Sequence, residues 1–210
     1  MPTVLCFGDS NTWGMVPATG PTDIRRHGPE VRWPGVLRKA LGAGWAVIEE
    51  GLNARTALYD DPLEGPGRSG LAYLAPCLET HWPLDWLVLM LGTNDVKTRF
   101  NLTAYDVACG MGVLLDVAAT ATRSYGSVPR ALLVCPPPVI WTGPWKDSFV
   151  GSEEKSRALP AHYAAVASAK GALFLDAGTL IASSPVDGIH FDEAAHAALG
   201  RAVAQTLLGA

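Results

Sequence analysis

Five short apolar runs, each ending in a polar turn, constrain the fold of this chain more than any other feature. Little polar alternation occurs within them, which is typical of strands buried on both faces of a parallel sheet. The runs are TVLCFG (3–8), WAVIEEG (45–51), DWLVLMLG (85–92), ALLVCP (131–136) and ALFLDAG (172–178). The pattern therefore predicts five buried parallel strands.

Segments with apolar residues at helical spacing lie between and after these runs. They cover residues 32–41, 103–122, 153–169 and 192–208. Asp192 is the expected N-cap of the last helix, and Pro160 predicts a kink or break in the third. The alternation predicts a single α/β domain over residues 1–210. It would have three layers, α/β/α, around a five-stranded, doubly wound parallel sheet of flavodoxin-like order 2-1-3-4-5.

Two long segments interrupt the alternation. Residues 54–70 are polar and rich in Gly and Pro, whereas residues 136–152 combine prolines with two tryptophans and a phenylalanine. Loops of this length in a compact domain are usually functional. We expect the aromatic segment to form a pocket wall or a contact between subunits.

Charge and composition narrow the possible partners. The net charge of -4 comes from 16 basic and 20 acidic residues, with no basic run or basic amphipathic helix, so nucleic acid is not expected as a partner. The N-terminal residues show no signal-peptide pattern, and we expect no stretch apolar enough to span a membrane. These features predict a cytoplasmic protein without a membrane partner. The four cysteines form no CxxC pair and are expected to be free, buried thiols.

Polar, Gly-containing turns follow four of the strands or lie near them. They are Gly8-Asp9-Ser10-Asn11, the segment 51–55, Gly92-Thr93-Asn94-Asp95 and Asp187-Gly188-Ile189-His190. Ligands of doubly wound sheets bind outside the carboxyl ends of the strands. The sequence therefore predicts that a hydroxyl, an amide, an imidazole and carboxylates converge on one sheet edge.

Acyl transfer needs these groups. Ser10 would be the nucleophile, His190 its base and Asp187 the carboxylate that fixes the histidine tautomer. The oxyanion would bind the backbone N–H groups of Ser10 and of Ala54 or a neighbour, together with the Asn94 side chain. Each residue also has a structural alternative. Ser10 and Asp187 are common turn residues, Asn94 or Asp95 would cap a helix, and His190 would begin one.

The blocks GDS (8–10), GTND (92–95) and DGIH (187–190) resemble the SGNH (GDSL) hydrolase family, in order and over nearly the whole chain. The resemblance implies a serine esterase for small carboxylic esters with aryl or short acyl groups, without cofactor or metal. The longer strings around these blocks are similar to the bacterial arylesterase/acyltransferase branch. Some members of that branch transfer acetyl groups to alcohols in water and form octamers, which implies a homo-oligomer with acyltransferase activity.

Four departures from the family pattern concern the pocket and the assembly. Asn11 follows GDS where leucine is usual, and Ala54 stands where the second block usually has glycine. Met15 replaces a tryptophan after TWG, and the 136–152 loop is shorter. We expect Asn11 and Trp13 to contact the substrate because they are close to Ser10. Asp9 is expected to be structural, and Arg55 fits an ion-pair partner as well as a substrate contact.

Other functions share parts of this pattern. The same catalytic residues would serve a carbohydrate O-deacetylase, a thioesterase or a lysophospholipase, and a flavodoxin-like binding module could use the same strand ends. GPGRSG (65–70) does not follow the first strand and is no dinucleotide motif, and no G-x-S-x-G elbow occurs. Histidines 27, 81, 162 and 196 lack metal-ligand spacing, and His196 is expected on a helix surface.

Overall fold

All five apolar runs form strands of one parallel sheet. The computed structural model describes residues 1–210, and the sheet order is β2-β1-β3-β4-β5, as predicted. The strands are β1 (Thr3–Gly8), β2 (Ala46–Gly51), β3 (Trp86–Met90), β4 (Arg130–Cys135) and β5 (Leu173–Asp176). Because the strands are parallel, the polar turns after β1, β2 and β3 lie along the same edge.

Six helices flank the sheet. They are α1 (Ser10–Trp13), α2 (Trp33–Leu41), α3 (Gly70–Thr80), α4 (Ala104–Ala118), α5 (Ser152–Lys170) and α6 (Glu193–Leu208). Short 3-10 helices cover Thr98–Phe100, Arg123–Tyr125, Lys146–Phe149 and Ala177–Thr179. The one in the aromatic loop, Lys146–Phe149, is the only regular structure between β4 and α5.

The two faces of the sheet build separate cores because successive side chains of a strand point to opposite sides. Leu5 and Phe7 of β1 belong to the larger core, which α3, α4 and α5 cover. Val4 and Cys6 belong to the smaller core, under α2 and α6. These are the three layers that the sequence predicts.

Helix ends follow local capping signals. The Asp192 side chain accepts a hydrogen bond from Ala195 N–H at 2.8 Å, as expected of the α6 N-cap. Thr103 and Asp106 form a capping box that begins α4, but this helix ends at Ala118, four residues before the predicted end. Pro160 does not interrupt α5. Packing on the sheet outweighs the hydrogen bond that proline removes.

Helix α3 is the element that the strand and helix pattern does not predict. It begins after Ser69, whose hydroxyl oxygen accepts a hydrogen bond from Ala72 N–H at 3.2 Å, and it contains Pro76. Its buried residues include Leu74, Cys77 and Leu78, which pack on the larger core.

Three expectations about burial and polarity are wrong. Cys109 is exposed, whereas the other three cysteines are buried, and all four are free. His196 is fully buried because α6 packs against α2 on the side that carries it; Trp33 N–H donates to His196 Nδ1 at 3.2 Å. An 18-residue stretch within residues 104–125 has a mean hydropathy of 1.3 and is long and apolar enough to cross a membrane by length and composition, but half of that stretch is buried inside the protein.

Candidate active site

Ser10 lies directly after β1, as the first residue of α1. The Asp9 side chain caps this four-residue helix by accepting a hydrogen bond from Asn11 N–H at 2.9 Å. The structural role predicted for Asp9 is thereby confirmed. The turn is tight, because a Cβ on Gly8 would lie 2.0 Å from the Thr12 hydroxyl oxygen. A buried turn therefore fixes the position of the serine hydroxyl.

The loop between β5 and α6 brings His190 and Asp187 to this hydroxyl. His190 Nε2 lies 3.0 Å from Ser10 Oγ, and His190 Nδ1 lies 2.8 Å from Asp187 Oδ2. Gly188 in this loop has a φ of 76°, and a Cβ there would lie 1.9 Å from the Ile140 carbonyl oxygen. Only glycine fits this backbone position, which places Asp187 and His190 on the same side of the loop.

Asp187 is fully buried yet held as an anion. Burial by itself raises its pKa, but the hydrogen bond and charge of His190, with backbone N–H groups of His190 and Ala18, lower the pKa below its usual value. The backbone N–H groups of Ile189, His190 and Ala18 donate to the carboxylate at 3.0, 2.9 and 2.9 Å. An ionised Asp187 keeps the proton of neutral His190 on Nδ1, so Nε2 can accept the Ser10 proton.

Three hydrogen-bond donors surround the space in front of Ser10. The Ser10 N–H is at the N-terminus of α1, where no intrahelical partner exists. The Ala54 backbone has a φ of 61°, in the left-handed region, and its N–H has no backbone partner. The Asn94 amide donates one hydrogen to the Arg55 carbonyl at 3.1 Å, so its second hydrogen remains available. The expectation that the Ala54 N–H is an oxyanion donor requires this φ, and an alanine adopts it only with strain.

A pocket of about 150 Å³ opens beside these groups. A cavity of about this size holds a benzene molecule. The pocket lining comprises Ser10, Met15, Pro21, Ile24, Asn53, Ala54, Glu64, Asn94, Lys97, Trp145, Ser148, Phe149, Ile189 and His190. The 136–152 loop supplies three of these residues, so the prediction that it forms a pocket wall is confirmed.

Trp145, in the aromatic loop, contacts the candidate base. Its ring packs edge-on against the His190 imidazole, with centroids 5.5 Å apart and an interplanar angle of 82°. The sequence identifies the loop as aromatic but gives no signal for which tryptophan reaches the histidine.

The far wall of the pocket carries an ion-pair network that the sequence motifs do not reveal. Lys97 Nζ lies 2.7 Å from Glu64 Oε1 and 3.5 Å from Asp61 Oδ2. Arg99 NH1 lies 3.0 Å from Asp61 Oδ1. Because its acids and bases are paired, this wall presents no isolated charge to a ligand.

Asn11 and Trp13 do not line the pocket, contrary to the expectation. Asn11 follows Ser10 in α1 and points about 100° away from it, whereas Trp13 packs against Arg26 at the end of the helix. The buried Asn11 amide donates to the Ile189 carbonyl at 3.2 Å and ties the turn of Ser10 to the loop of His190. Trp13 lies under the guanidinium of Arg26, whose carbon is 4.8 Å from the ring centroid.

Arg55 does not line the pocket, and its side chain forms no ion pair. Its NH1 donates to the carbonyl oxygens of Gly8, at 2.9 Å, and Glu50. Its guanidinium stacks on the Phe7 ring, 4.1 Å from the centroid. The structure therefore gives Arg55 a structural role, through backbone carbonyls rather than a carboxylate.

Two further buried carboxyls lie at the same edge. Burial raises the pKa of Asp9 to about 6 and that of Asp95 to about 7. The charge of Asp9 raises the pKa of Asp95 further, while a hydrogen bond from Ala57 N–H, at 2.8 Å, opposes the shift. The edge thus combines one stabilised carboxylate, Asp187, with two carboxyls that favour protonation.

The fold and the site together define a carboxylic ester hydrolase of the SGNH type. The chain belongs to the GDSL-like Lipase/Acylhydrolase family, whose profile matches residues 6–198. It is similar to the native aryl esterase of M. smegmatis, with 44% identity over 100% of this chain and 99% of that one, and a TM-score of 0.95. It is also similar to a carbohydrate acetylesterase from Sinorhizobium meliloti, with 39% identity over 100% and 99% of the chains and a TM-score of 0.94. No curated protein matches the chain.

Proposed function

We propose that this enzyme hydrolyses small aryl and short-chain acyl esters through a covalent acyl intermediate on Ser10. One observation carries the proposal: Ser10 Oγ, the His190 imidazole and the Asp187 carboxylate form a continuous chain, with contacts of 3.0 and 2.8 Å, beside a small pocket. A serine hydroxyl becomes a nucleophile when a base within hydrogen-bond distance removes its proton.

In the first half-reaction, Ser10 Oγ attacks the ester carbonyl carbon while its proton passes to His190 Nε2. The carbonyl oxygen becomes an oxyanion, which accepts hydrogen bonds from the N–H groups of Ser10 and Ala54 and from the Asn94 amide. His190 then gives its proton to the leaving alcohol or phenol, and the bond to the leaving group breaks. Asp187 stabilises the imidazolium between the two transfers.

In the second half-reaction, His190 removes a proton from water, which attacks the acyl-serine. The oxyanion forms again in the same place, and Ser10 leaves with the proton from His190. An alcohol in place of water gives a new ester, so the same steps perform acyl transfer. Trp145 beside His190 and Phe149 in the pocket wall favour an apolar alcohol over water at this point.

Labelling with a serine-directed phosphonate, followed by peptide mass spectrometry, tests the nucleophile. We expect one phosphonyl group on Ser10 in the wild type and none in Ser10→Ala. Absence of labelling at Ser10 in the folded wild type would contradict the proposal and favour a binding module.

The pocket volume leads to a second test. A series of p-nitrophenyl esters with increasing acyl length should show kcat/KM falling after the shortest members, because a cavity of about 150 Å³ holds only a group of about benzene size. Unchanged kcat/KM up to long acyl chains would contradict this assignment. Adding an alcohol to the same assays and measuring the transfer product would determine the ratio of transfer to hydrolysis.

Deacetylation of carbohydrates is the second candidate function. The similarity at 39% identity to a carbohydrate acetylesterase over the full chain favours it. Ile24, Trp145 and Phe149 make part of the pocket wall apolar, and the charged Glu64 and Lys97 of the lining are already paired with each other. We therefore expect acetylated sugars to react with lower kcat/KM than p-nitrophenyl acetate. The opposite order would make carbohydrate deacetylation the favoured function.

We also propose that the chain forms a homo-oligomer through the surface around the pocket. Leu63, Ile24 and Trp141 are 81%, 53% and 50% exposed, and Ile24 also lines the pocket. Leu63 is next to the pocket residue Glu64 in sequence, and Trp141 belongs to the loop that lines the pocket. Exposed apolar side chains around a site commonly mark protein interfaces. Light scattering after gel filtration should give a mass of several chains, up to the octamer implied by the resemblance. A monomer at high concentration would refute the proposal.

A further inference from the structure

A second cluster of chemically reactive side chains lies outside the active site, between β2 and α3. Its members are Glu50, Cys77 and His81, and their ligand atoms all lie within 4.8 Å of one another. His81 Nε2 is 2.8 Å from Glu50 Oε1. The proposed reaction uses none of these groups.

The local structure explains why the three side chains meet. Cys77 and His81 are four residues apart at the C-terminal end of α3, so they lie on the same face, one turn apart. Glu50 is the last residue but one of β2, the edge strand of the sheet, and its carboxylate reaches His81 at the end of α3. Arg55 donates to the Glu50 carbonyl and so fixes the backbone below the carboxylate.

The cluster is both preformed and accessible. The Cys77 residue is buried, whereas the side chains of Glu50 and His81 are 20% and 27% exposed. Glu50 also borders an open cavity of about 480 Å³ next to Arg55 and Tyr73. An ion can therefore reach the carboxylate and the imidazole from solvent, with the sulfur behind them.

The donor set identifies the kind of ion. A thiolate and an imidazole bind zinc and similar soft transition metals, whereas Mg²⁺ and Ca²⁺ prefer oxygen ligands only. Ligands of a tetrahedral zinc ion at about 2.0–2.3 Å lie roughly 3.3–3.7 Å apart, a spacing that small side-chain rotations would reach here. We propose that Glu50, Cys77 and His81 bind one Zn²⁺-class ion, with water as the fourth ligand.

Binding balances charge and protons. The Cys77 thiol loses its proton to solvent, so the thiolate and the Glu50 carboxylate offset the two positive charges of the ion. Neutral His81 keeps its proton on Nδ1 and coordinates the ion through Nε2. The hydrogen bond between Nε2 and Glu50 is then replaced by coordination of both groups to the same ion. The bound ion would join the end of β2 to the last turn of α3, just before the loop that carries Ala54.

The expectation that His81 lacks metal-ligand spacing is wrong for this pair. Cys-x3-His on one helix is a ligand spacing in its own right, once α3 is recognised as a helix. Glu50 is 27 residues before Cys77, and only the tertiary fold brings its carboxylate into the cluster.

Titration with Co²⁺ as the probe tests the site on the intact, chelator-treated protein. Thiolate coordination to Co²⁺ gives an ultraviolet charge-transfer band that carboxylates and imidazoles alone do not give. We expect this band at one equivalent in the wild type and in Cys109→Ser, which removes the exposed cysteine of α4. We expect no band in Cys77→Ser. Absence of the band in the wild type, or its persistence in Cys77→Ser, would overturn the proposal.

A second variant covers the case in which Cys77→Ser does not fold. His81 is partly exposed, so His81→Gln should keep the fold, as measured by far-ultraviolet circular dichroism. Loss of an outer-shell partner already costs about 10–100-fold in metal affinity, so removing a direct ligand should raise the Kd for Co²⁺ and Zn²⁺ by at least about tenfold. Equal affinity of wild type and His81→Gln would exclude the cluster. These measurements do not depend on esterase activity.

Discussion

Asp187 and Asp95 lie at the same edge of the sheet, and both are buried, but their surroundings differ. Asp187 accepts four hydrogen bonds, three from backbone N–H groups and one from His190. Asp95 accepts one from Ala57, and its Oδ2 has no partner. The pKa of Asp187 is lowered, whereas burial raises that of Asp95 to about 7.

The difference shows that the number of oriented donors, rather than burial, determines which carboxyl is an anion at neutral pH. The β5–α6 loop turns its backbone N–H groups toward Asp187, and the charge that results supports His190. The segment after β3 provides no such donors for Asp95. Asp95 is therefore suited to hold the Ala57 backbone, and Asp187 to charge-dependent catalysis.

Of the variants that test this difference between the two aspartates, Asp187→Asn should have the largest effect. The amide removes the negative charge and favours the wrong tautomer of His190, so we expect kcat to fall by about 10⁴. Measured with p-nitrophenyl acetate, a loss of less than tenfold in a folded variant would contradict the role of Asp187. Asp95→Asn is the matched isosteric control, for which we expect kcat to fall by less than about tenfold.

Asn94→Ala should have the next largest effect because the Asn94 side chain faces the pocket. Its neighbour in sequence, Asp95, does not take part in the proposed reaction. Loss of one oxyanion donor typically lowers kcat by about 10²–10³, with KM little changed. Steady-state kinetics with p-nitrophenyl acetate would measure both constants. A wild-type kcat for this variant would remove Asn94 from the oxyanion site.

The two aspartates should give opposite dependences of stability on pH. The folded-state pKa of Asp95 lies above the unfolded value, so its protonated form stabilises the fold at low pH, and this contribution is lost as pH rises through about 7. The free energy of unfolding of Asp95→Asn, relative to wild type, should therefore rise between pH 5 and pH 8, by on the order of 1–3 kcal/mol.

Asp187 has a lowered folded-state pKa, so its contribution is present above the unfolded pKa and is lost as pH falls through the folded value. The stability difference between Asp187→Asn and wild type should therefore shrink in acid. Urea unfolding from pH 8 down to below about pH 4, the ordinary pKa of aspartate, measures both variants. Parallel curves for the two would refute the assignment of charge.

The smallest effect is expected at Ala54. The unfavourable feature at this residue is its left-handed backbone conformation, whereas at the aspartates it is a buried charge. Ala54→Gly removes left-handed strain of about 1–2 kcal/mol but increases the entropy of the unfolded chain, so a net gain in stability of roughly 0.5–1 kcal/mol is expected. The N–H donor remains, and kcat should stay close to the wild-type value. Asn101→Gly, at the other non-glycine residue with positive φ (51°), is the control and should gain less, because asparagine tolerates this conformation.

The sequence allowed the strands, their order and the grouping of Ser10, Asn94, Asp187 and His190 to be predicted. Apolar runs buried on both faces are long enough to recognise, and the sheet edge gathers the turns that follow them. Helix α3 escaped prediction because Pro76 lies inside it and the long polar loop precedes it. Tertiary packing on the larger core outweighs these local signals.

Side-chain direction was the least predictable property. Proximity to Ser10 suggested Asn11 and Trp13 as pocket residues, but Asn11 bonds to Ile189 and Trp13 packs against Arg26. His196 is buried because α2 covers α6, and periodicity within a single helix does not contain that information. Trp145, Lys97 and Glu64 enter the pocket from loops, whose paths depend on contacts with distant parts of the chain.

Ser10 and His190 are 180 residues apart in sequence, and they meet because the fold brings the loop between β5 and α6 to the turn after β1, the second strand of the sheet. During synthesis on the ribosome, the proposed nucleophile is thus among the first residues made, and its proposed base is among the last of the fold. A nascent chain cannot hydrolyse an ester until the β5–α6 loop has emerged and docked. Appearance of activity during translation would therefore report completion of the whole domain, while earlier fragments stay inert toward the esters of the cell.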